Sequence, residues 1–376
     1  MSAARSPASS ALFGNKECLG VSRALGELQA RRPIRIDAPG EALLALSVEG
    51  LDDQRLSEFA VLCRPNAPEL IITQQRARAL GIEALTEMTL PLCAMADAGA
   101  IFNLAVESTS CFTGSTKPAG RAATAAILLV KVSRSLPTVL AASVPNLGGD
   151  LMHSIVAIEA DAVDRFAAEA MNTLMVASEA SIPLPSGALA RFVVFRDALG
   201  ADQVAIIVGK PDFSKQVPVR LHSACLTGDV FGSRRCDCGD QLRLALAYME
   251  SLGEGVILYL AQEGRGIGLA NKMRAYQLQD GGLDTCDANT ALGFEDDERD
   301  YRIAALMLRT LGCTQVVLLT NNPAKLERLA KTGIKISARV PLEAPINRDN
   351  KRYLTTKAVR SGHKFLNLKA SVGEKS

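Results

Sequence analysis

The chain has 376 residues, 48% of them hydrophobic and 22% charged, with a formal net charge of +2. That length and apolar content suit two or more domains with cores of their own and exclude a disordered or fibrous protein. The near-neutral balance excludes a general nucleic-acid binder, which needs an excess of Lys and Arg on one face, and 4% aromatic residues with no Trp leave few stacking platforms for single strands. Nine cysteines, an odd number, and a first stretch Met-Ser-Ala-Ala-Arg-Ser-Pro-Ala-Ser-Ser without the apolar run of a secretory signal make a reducing cytoplasm the expected setting. Apolar stretches such as 125–130 fall well short of the roughly 20 residues that span a bilayer, so no membrane segment is expected.

In chain order, residues 1–17 read as a flexible tail rich in Ser and Ala. Leu25 and Leu28 stand at helical spacing within 21–30, and Pro33-Ile-Arg-Ile36 follows as a short strand. Beyond Glu41 the apolar run reads as a helix. Residues 56–62 are helical, 69–73 extended, and 74–80 helical again, closed by Gly81. The stretch 18–172 therefore reads as a smaller α+β domain. Two prolines and small polar residues break the periodic pattern in 177–187, and a domain boundary is placed near residue 172.

From there to residue 370 a second domain is expected, with 371–376 as a tail. Residues 191–195, 203–208 and 217–221 are β-branched or aromatic runs bounded by turn residues, hence strands. Leu242, Ala245, Leu246 and Met249 make a helical stripe, and 255–261 is the near-continuous apolar run of a buried strand. Helices at 271–279, 301–311 and 324–331 alternate with a strand at 315–320. The fold class is α/β, with a layered α/β/α second domain built on a mixed sheet, preceded by the smaller α+β domain.

Cys225, Cys236 and Cys238 lie within fourteen residues of one another, and three thiolates in a reducing compartment suit one soft, tetrahedral cation such as zinc. Three protein ligands leave one position open for water, whereas His222 as a fourth would close a structural site; spacing leaves both readings open. Gln262-Glu-Gly-Arg-Gly-Ile-Gly268 joins the buried strand to a helix, and its glycines let the backbone approach an anion beside Arg265, or else make only a tight turn. Asn322 can cap the helix opening at Pro323, and Lys325 in its first turn is unfavourable there unless it serves a group outside the helix; the alternative is a solvated surface Lys. Residues 295–300 pack five carboxylates around Arg299, and spacing cannot choose among Asp296, Asp297 and Glu298 for a base. Together these describe a hydrolytic site for a phosphorylated substrate.

Residues 175–368 resemble GTP cyclohydrolase II. His222-Ser-Ala-Cys-Leu-Thr-Gly-Asp229, Arg235-Cys-Asp-Cys-Gly239, Gln262-Glu-Gly-Arg265, Asn271-Lys272, Ala275-Tyr276, Leu292-Gly-Phe294, Asp297-Glu-Arg-Asp300 and Thr320-Asn-Asn-Pro323 follow in that family's order. The resemblance implies zinc on Cys225, Cys236 and Cys238 with a water that attacks C8 of GTP, Arg299 attacking the α-phosphate, Asp297 accepting a proton and Tyr276 ordering the ring-opening step. It also places Arg220, His222, Ser223, Gln241, Glu263 and Gly264 on the nucleotide, with Arg265, Thr285, Thr320 and Lys325. Mg2+ with the triphosphate and a homodimer are implied in the same way. Ala224 departs from the family's usual Glu, which removes a carboxylate beside the thiol loop.

The first domain resembles 3,4-dihydroxy-2-butanone-4-phosphate synthase through Phe102-Asn-Leu-Ala-Val106, Phe112-Thr-Gly-Ser115 and Gly120-Arg-Ala-Ala-Thr124, with Arg23-Ala-Leu and Arg32-Pro-Ile at its start. Only Asp37 and Glu41 stand where that enzyme needs a dense acidic run for Mg2+, and Gly120 replaces an Asp, so a degenerate, non-catalytic domain is expected. Two rival functions remain open at this point: ring opening of another nucleotide, to which Ala224 points, and a nucleotide-binding scaffold with structural zinc.

Overall fold

The structure is a computed structural model that describes residues 15–92, 96–108, 110–144, 154–360 and 362–365. Its chain forms two compact units. The first comprises residues 1–170 with 273–282 and 287–296, and the second 171–272 with 283–286 and 297–376.

In the first unit the strands are β1 (Ile34–Ala38), β2 (Glu41–Ser47), β3 (Glu69–Ile72), β4 (Met88–Pro91), β5 (Lys117–Pro118), β6 (Thr138–Ser143) and β7 (Ala157–Glu159). They form one sheet in the order β5-β4-β3-β6-β2-β1-β7, antiparallel except for the β1–β7 pair. Helices α1 (Lys16–Gln29), α5 (Arg121–Val132) and α6 (Ala160–Asn172) cover one face. The opposite face carries α2 (Asp53–Leu62), α3 (Gln74–Ala79) and α4 (Ala98–Val106). Residues 1–14 of the expected tail, and the tail at 371–376, lie outside the described residues.

Two local readings are corrected here. The run after Glu41 is a strand, not a helix: Leu43 and Ala45 enter one core while Leu44 and Leu46 enter the other. Burial on both faces erases the alternation that marks a half-exposed strand, so a short apolar run reads equally well as helix. Residues 177–183 likewise belong to a strand, β8 (Met175–Pro183), the last of its sheet, with all nine residues exposed and a register shift between Val176 and Ser178. An edge strand exposed on both faces carries no hydrophobic period, and Pro183 is tolerated at its end.

In the second unit, β8 is joined by β9 (Leu189–Arg196), β10 (Asp202–Gly209), β11 (Val217–Ser223), β12 (Glu254–Leu260), β13 (Gln315–Leu319) and β14 (Lys335–Val340). The order is β14-β13-β11-β12-β10-β9-β8, with parallel pairing from β14 through β12 and antiparallel pairing from β12 through β8, so the sheet is mixed as expected. Ile303, Ala304, Met307 and Leu308 of α11 (Arg302–Thr310) pack with Leu329 of α12 (Pro323–Ala330) on one face. Ala245 and Met249 of α8 (Cys238–Leu252) pack against Ile206, Val208 and Ile257 on the other, completing the α/β/α layering.

Helix α9 (Leu269–Asp280) begins in the second unit, and its residues from Met273 onward belong to the first. The segment 287–296 is likewise held by first-unit side chains. Arg76, fully buried, donates from Nη1 to Ala291 O at 2.7 Å, from Nε to Leu104 O at 2.8 Å and from Nη2 to Glu107 O at 2.8 Å. Thr73 Oγ1 donates to Gly293 O at 2.8 Å. Gly293 has φ +89°, and a Cβ there would lie 2.8 Å from that hydroxyl, so only glycine fits.

Candidate active site

In parallel sheets, sites form outside the carboxyl ends of the strands. The second unit follows that rule: β11 runs into Cys225, β12 into the 262–268 loop and β13 into Thr320-Asn321-Asn322. After β11 comes the short helix α7 (Leu226–Asp229), and Cys236 and Cys238 stand at the start of α8.

The sulfurs of Cys225, Cys236 and Cys238 all lie within 4.8 Å of one another, with 3.7 Å between Cys225 and Cys236. Bonds of about 2.3 Å at a tetrahedral angle would set sulfurs about 3.8 Å apart, so this set fits zinc. His222 is not a fourth member. Its Nε2 faces both oxygens of Asp229 at 3.1 Å, and burial lowers its pKa, leaving a neutral imidazole. Asp229 also accepts from Tyr259 Oη at 2.9 Å and from the backbone N of Cys225 at 2.9 Å, so one buried carboxylate fixes the entry to the thiol loop. Gly228 and Gly239 allow the close packing: a Cβ on Gly228 would come 2.8 Å from Cys236 Sγ, and one on Gly239 2.2 Å from Gly228 O.

Lys272 Nζ donates to Cys225 Sγ at 3.1 Å, Thr227 Oγ1 at 3.0 Å and Glu263 Oε1 at 2.9 Å. Hydrogen bonding within the sulfur set, with the Lys272 ammonium adding to it, lowers the Cys225 pKa far below the usual thiol range and pushes that of Cys236 up to about 11. Glu263 accepts from the backbone N of Leu226 at 2.7 Å, so a carboxylate does stand beside the thiol loop although position 224 is Ala.

The 262–268 loop takes left-handed backbone at Gly264 (φ +63°), Arg265 (φ +62°), Gly266 (φ +97°) and Gly268 (φ +89°). Only Arg265 bears a side chain there, which is the less common choice in this region. Its carbonyl accepts from Glu298 N at 3.0 Å, and a Cβ on Gly266 would meet Glu298 backbone at 2.9 Å. Close approach of the 298 segment is therefore one reason for the glycines.

Arg299 answers which carboxylate is its partner. Its Nε and Nη2 bond Asp297 at 2.7 and 2.8 Å, and Arg328 Nη1 approaches the same carboxylate at 3.3 Å. Burial alone would raise the Asp297 pKa, but Arg299 and Arg328 hold it below the ordinary carboxylate value, so Asp297 is ionised. For Arg299 burial acts downward, yet Tyr301 and Asp297 push the pKa up.

Lys325 is buried, which excludes the solvated-surface reading. Asn322 caps α12 by accepting from Ala324 N at 2.9 Å, while Lys325 Nζ turns back to Leu221 O at 2.9 Å. Burial, with Arg220 and Arg299 nearby, lowers its pKa well below the ordinary value. Arg220 Nη1 bonds Leu319 O at 3.1 Å and Nη2 bonds Gln241 Oε1 at 2.5 Å. Among the described residues, Arg220 Nε, His222 Nδ1 and Ser223 Oγ are buried polar atoms with no protein partner, and such atoms are costly unless a ligand or water meets them. Buried cations beside unmet donors fit a polyanion.

The remaining expected residues are placed as follows. Both ends of Gln241 are used within the protein, since its Nε2 donates to Asp237 Oδ2 at 2.6 Å. Thr320 is buried and its Oγ1 accepts from Asn322 N at 3.0 Å. Thr285 opens α10 (Thr285–Ala291). Tyr276 lies on α9 in the 273–282 segment of the first unit. Asp229, Asp237, Tyr259 and Lys272 support the site without having been singled out for it; Asp229, Asp237 and Lys272 stood inside the quoted motifs, while Tyr259 in an apolar strand gave no signal.

Chemically, such an arrangement suits metal-assisted hydrolysis of a phosphorylated ligand. The GTP cyclohydrolase II family profile matches residues 175–341. GTP cyclohydrolase-2 of Xylella fastidiosa (strain 9a5c) is 39% identical over 354 residues, covering 93% of this chain and 88% of its own. GTP cyclohydrolase-2 of Azospirillum brasilense is 40% identical over 361 residues, 92% of this chain and 94% of its own. Riboflavin biosynthesis protein RibBA of Bacillus mycoides is 54% identical over 167 residues, 44% of this chain and 42% of its own. A solved two-domain 3,4-dihydroxy-2-butanone 4-phosphate synthase from A. baumannii covers 86% of this chain and 99% of its own at 12% identity and a TM-score of 0.31. The chain belongs to the GTP cyclohydrolase II family.

Proposed function

We propose that this chain opens the imidazole ring of GTP by hydrolysis, releasing formate and pyrophosphate and leaving 2,5-diamino-6-(5-phosphoribosylamino)pyrimidin-4(3H)-one, the first step of riboflavin biosynthesis. The observation that carries the reading is the set of three sulfurs within 4.8 Å of one another, with Lys272 turned onto one of them. Zinc, when bound there, supplies a Lewis acid that polarises the water attacking C8.

The other roles fall to the chain's own groups. Arg220 and Arg299 bring positive charge toward the triphosphate, Lys325, whose charged form burial disfavours, gains from the phosphates the counter-charge that favours it, and Mg2+ accompanies the phosphate oxygens, which suit a hard cation. Arg299 commits Nε and Nη2 to Asp297, which leaves Nη1 to bond the α-phosphorus as its bond to pyrophosphate breaks; the ionised Asp297 accepts the proton Nη1 loses, and water then splits the P–N bond to leave the monophosphate. Tyr276 orders the ring-opening step. Glu263, Gly264, Arg265, Thr285 and Thr320 surround the nucleotide with His222 and Ser223. Gln241 acts by fixing Arg220. The chain works as a cytoplasmic homodimer. No helix among the described residues is long and apolar enough to cross a membrane.

The first unit does not carry the synthase chemistry. Glu41 Oε2 accepts from Ala122 N at 3.0 Å at the start of α5, and a Cβ on Gly120 would lie 2.4 Å from Glu41 Oε1. The chain's own carboxylate thus occupies an anion-favouring helix start. Incubating the purified protein with GTP and measuring formate, beside metal analysis and a Cys236→Ser control, tests the whole reading. Zinc retained with no formate from GTP would leave the scaffold; formate from another nucleotide in its place would follow the Ala224 departure.

A further inference from the structure

Asp237 sits between Cys236 and Cys238 and is the N-cap residue of α8, yet its side chain makes no capping bond. An Asp at that position ordinarily turns its carboxylate onto the first-turn amides. Here the carboxylate is fully buried and turned elsewhere: Oδ1 accepts from Lys357 Nζ at 2.7 Å and Oδ2 from Gln241 Nε2 at 2.6 Å. Lys357 belongs to α13 (Lys351–Arg360), beyond the 175–341 span of the family match. Its ammonium also lies 4.4 Å from the centre of the Tyr353 ring, so both a carboxylate and an aromatic face hold it in place. The turn that carries two of the three sulfurs is therefore tied from behind to the C-terminal helix.

We propose that Lys357 is a positioning residue for the metal site, keeping the Cys236–Cys238 turn in metal-ready geometry through Asp237. The inference rests on reading the three cysteines as a zinc site. Outer partners that orient ligands typically change metal affinity by about 10- to 100-fold when removed. If Lys357 acts through Asp237, losing both should cost no more than losing one.

The experiment is zinc affinity of the full-length protein by competition with a chromophoric chelator, for wild type, Lys357→Met, Asp237→Asn, the double variant and Lys357→Arg. The expected result is a loss of about 10-fold or more in each single Lys357→Met and Asp237→Asn variant, a double variant no weaker than the weaker single, and partial rescue in Lys357→Arg. Lys357→Met within about twofold of wild type, or effects that multiply in the double variant, would overturn it. Should Lys357→Met not fold, Lys357→Arg decides: wild-type affinity there with Asp237→Asn also unaffected overturns the proposal. Wild type that takes no zinc would sink the metal reading instead. Iodoacetamide labelling of Cys236 and Cys238 then decides the positioning role, being faster in Lys357→Met if it is right and unchanged if it is wrong.

Discussion

Replacing Gly228 by Ala isolates the thiol cluster from the helix that frames it. Gly228 sits in α7 at an ordinary, negative φ, so the backbone accepts Ala, and by helix propensity alone the change would stabilise by about 0.5–1 kcal/mol. The new Cβ, however, falls 2.8 Å from Cys236 Sγ, 3.1 Å from Cys225 Sγ and 3.2 Å from Cys238 Cβ. Carbon and sulfur need close to a further ångström, and a sulfur held by a metal cannot swing aside as a free thiol would. Overpacking of this kind costs roughly 1–3 kcal/mol, which at a metal ligand appears as about 5- to 150-fold weaker binding. The assay is zinc competition on Gly228→Ala beside far-UV circular dichroism and formate release. Unchanged helicity with zinc binding weakened by that factor, and formate release falling with the metal, is expected. Wild-type zinc affinity in a folded Gly228→Ala protein would refute the claim that the glycine is there to let three sulfurs meet.

Three further outcomes follow from other parts of the molecule. Arg76→Leu removes a buried guanidinium that feeds the carbonyls of Leu104, Glu107 and Ala291, costing about 3 kcal/mol and lowering the thermal midpoint by on the order of 10 °C in a calorimetric scan. Glu41→Ala strips the carboxylate from the start of α5 and costs about 1 kcal/mol in a denaturant titration, and adding Gly120→Asp in the same chain restores most of it by supplying a cap in place. His363 is held down to about 3 by burial, then by Lys357, Arg265 and Lys325 against a weaker pull from Asp237. Were α13 and residues 362–365 to come away from the second unit, His363 would take a proton near its usual 6.5, which it does not do while packed there. Docking is thus fully favoured above pH 6.5 and weakens toward pH 3, by about 1.4 kcal/mol per unit. Hydrogen-exchange protection of the 351–360 segment, corrected for the intrinsic fall of exchange with pH, should drop between pH 7.5 and 5, and His363→Gln should flatten that dependence.

How much of this could be read from residues alone depends on whether the cause is local. The helices at 74–80 and 324–331 carry their stop and cap signals within a few positions, Gly81 and Asn322, and the structure places α3 and α12 there. Cysteine spacing brings three sulfurs into consideration because their convergence needs only one turn of chain. By contrast, β2 is apolar because two cores claim it and β8 is featureless because none does; neither circumstance is written in the strand itself. The partnership of Asp237 with Lys357 spans 120 positions, and the pairing of Asp297 with both Arg299 and Arg328 brings in a residue 31 positions away. The buried state of Lys325 likewise follows from the strand beneath it, whose carbonyl at Leu221 it reaches.

The discontinuous make-up of the first unit limits how this chain can be taken apart. A fragment cut near residue 171 would lack 273–282 and 287–296, and so deprive Thr73 and Arg76 of the carbonyls they serve at Gly293 and Ala291. The complementary piece would keep those twenty residues without Thr73 and Arg76. Such a chain is threaded rather than beaded, and swapping one half for a homologous half is a transplant that severs stitches on both sides.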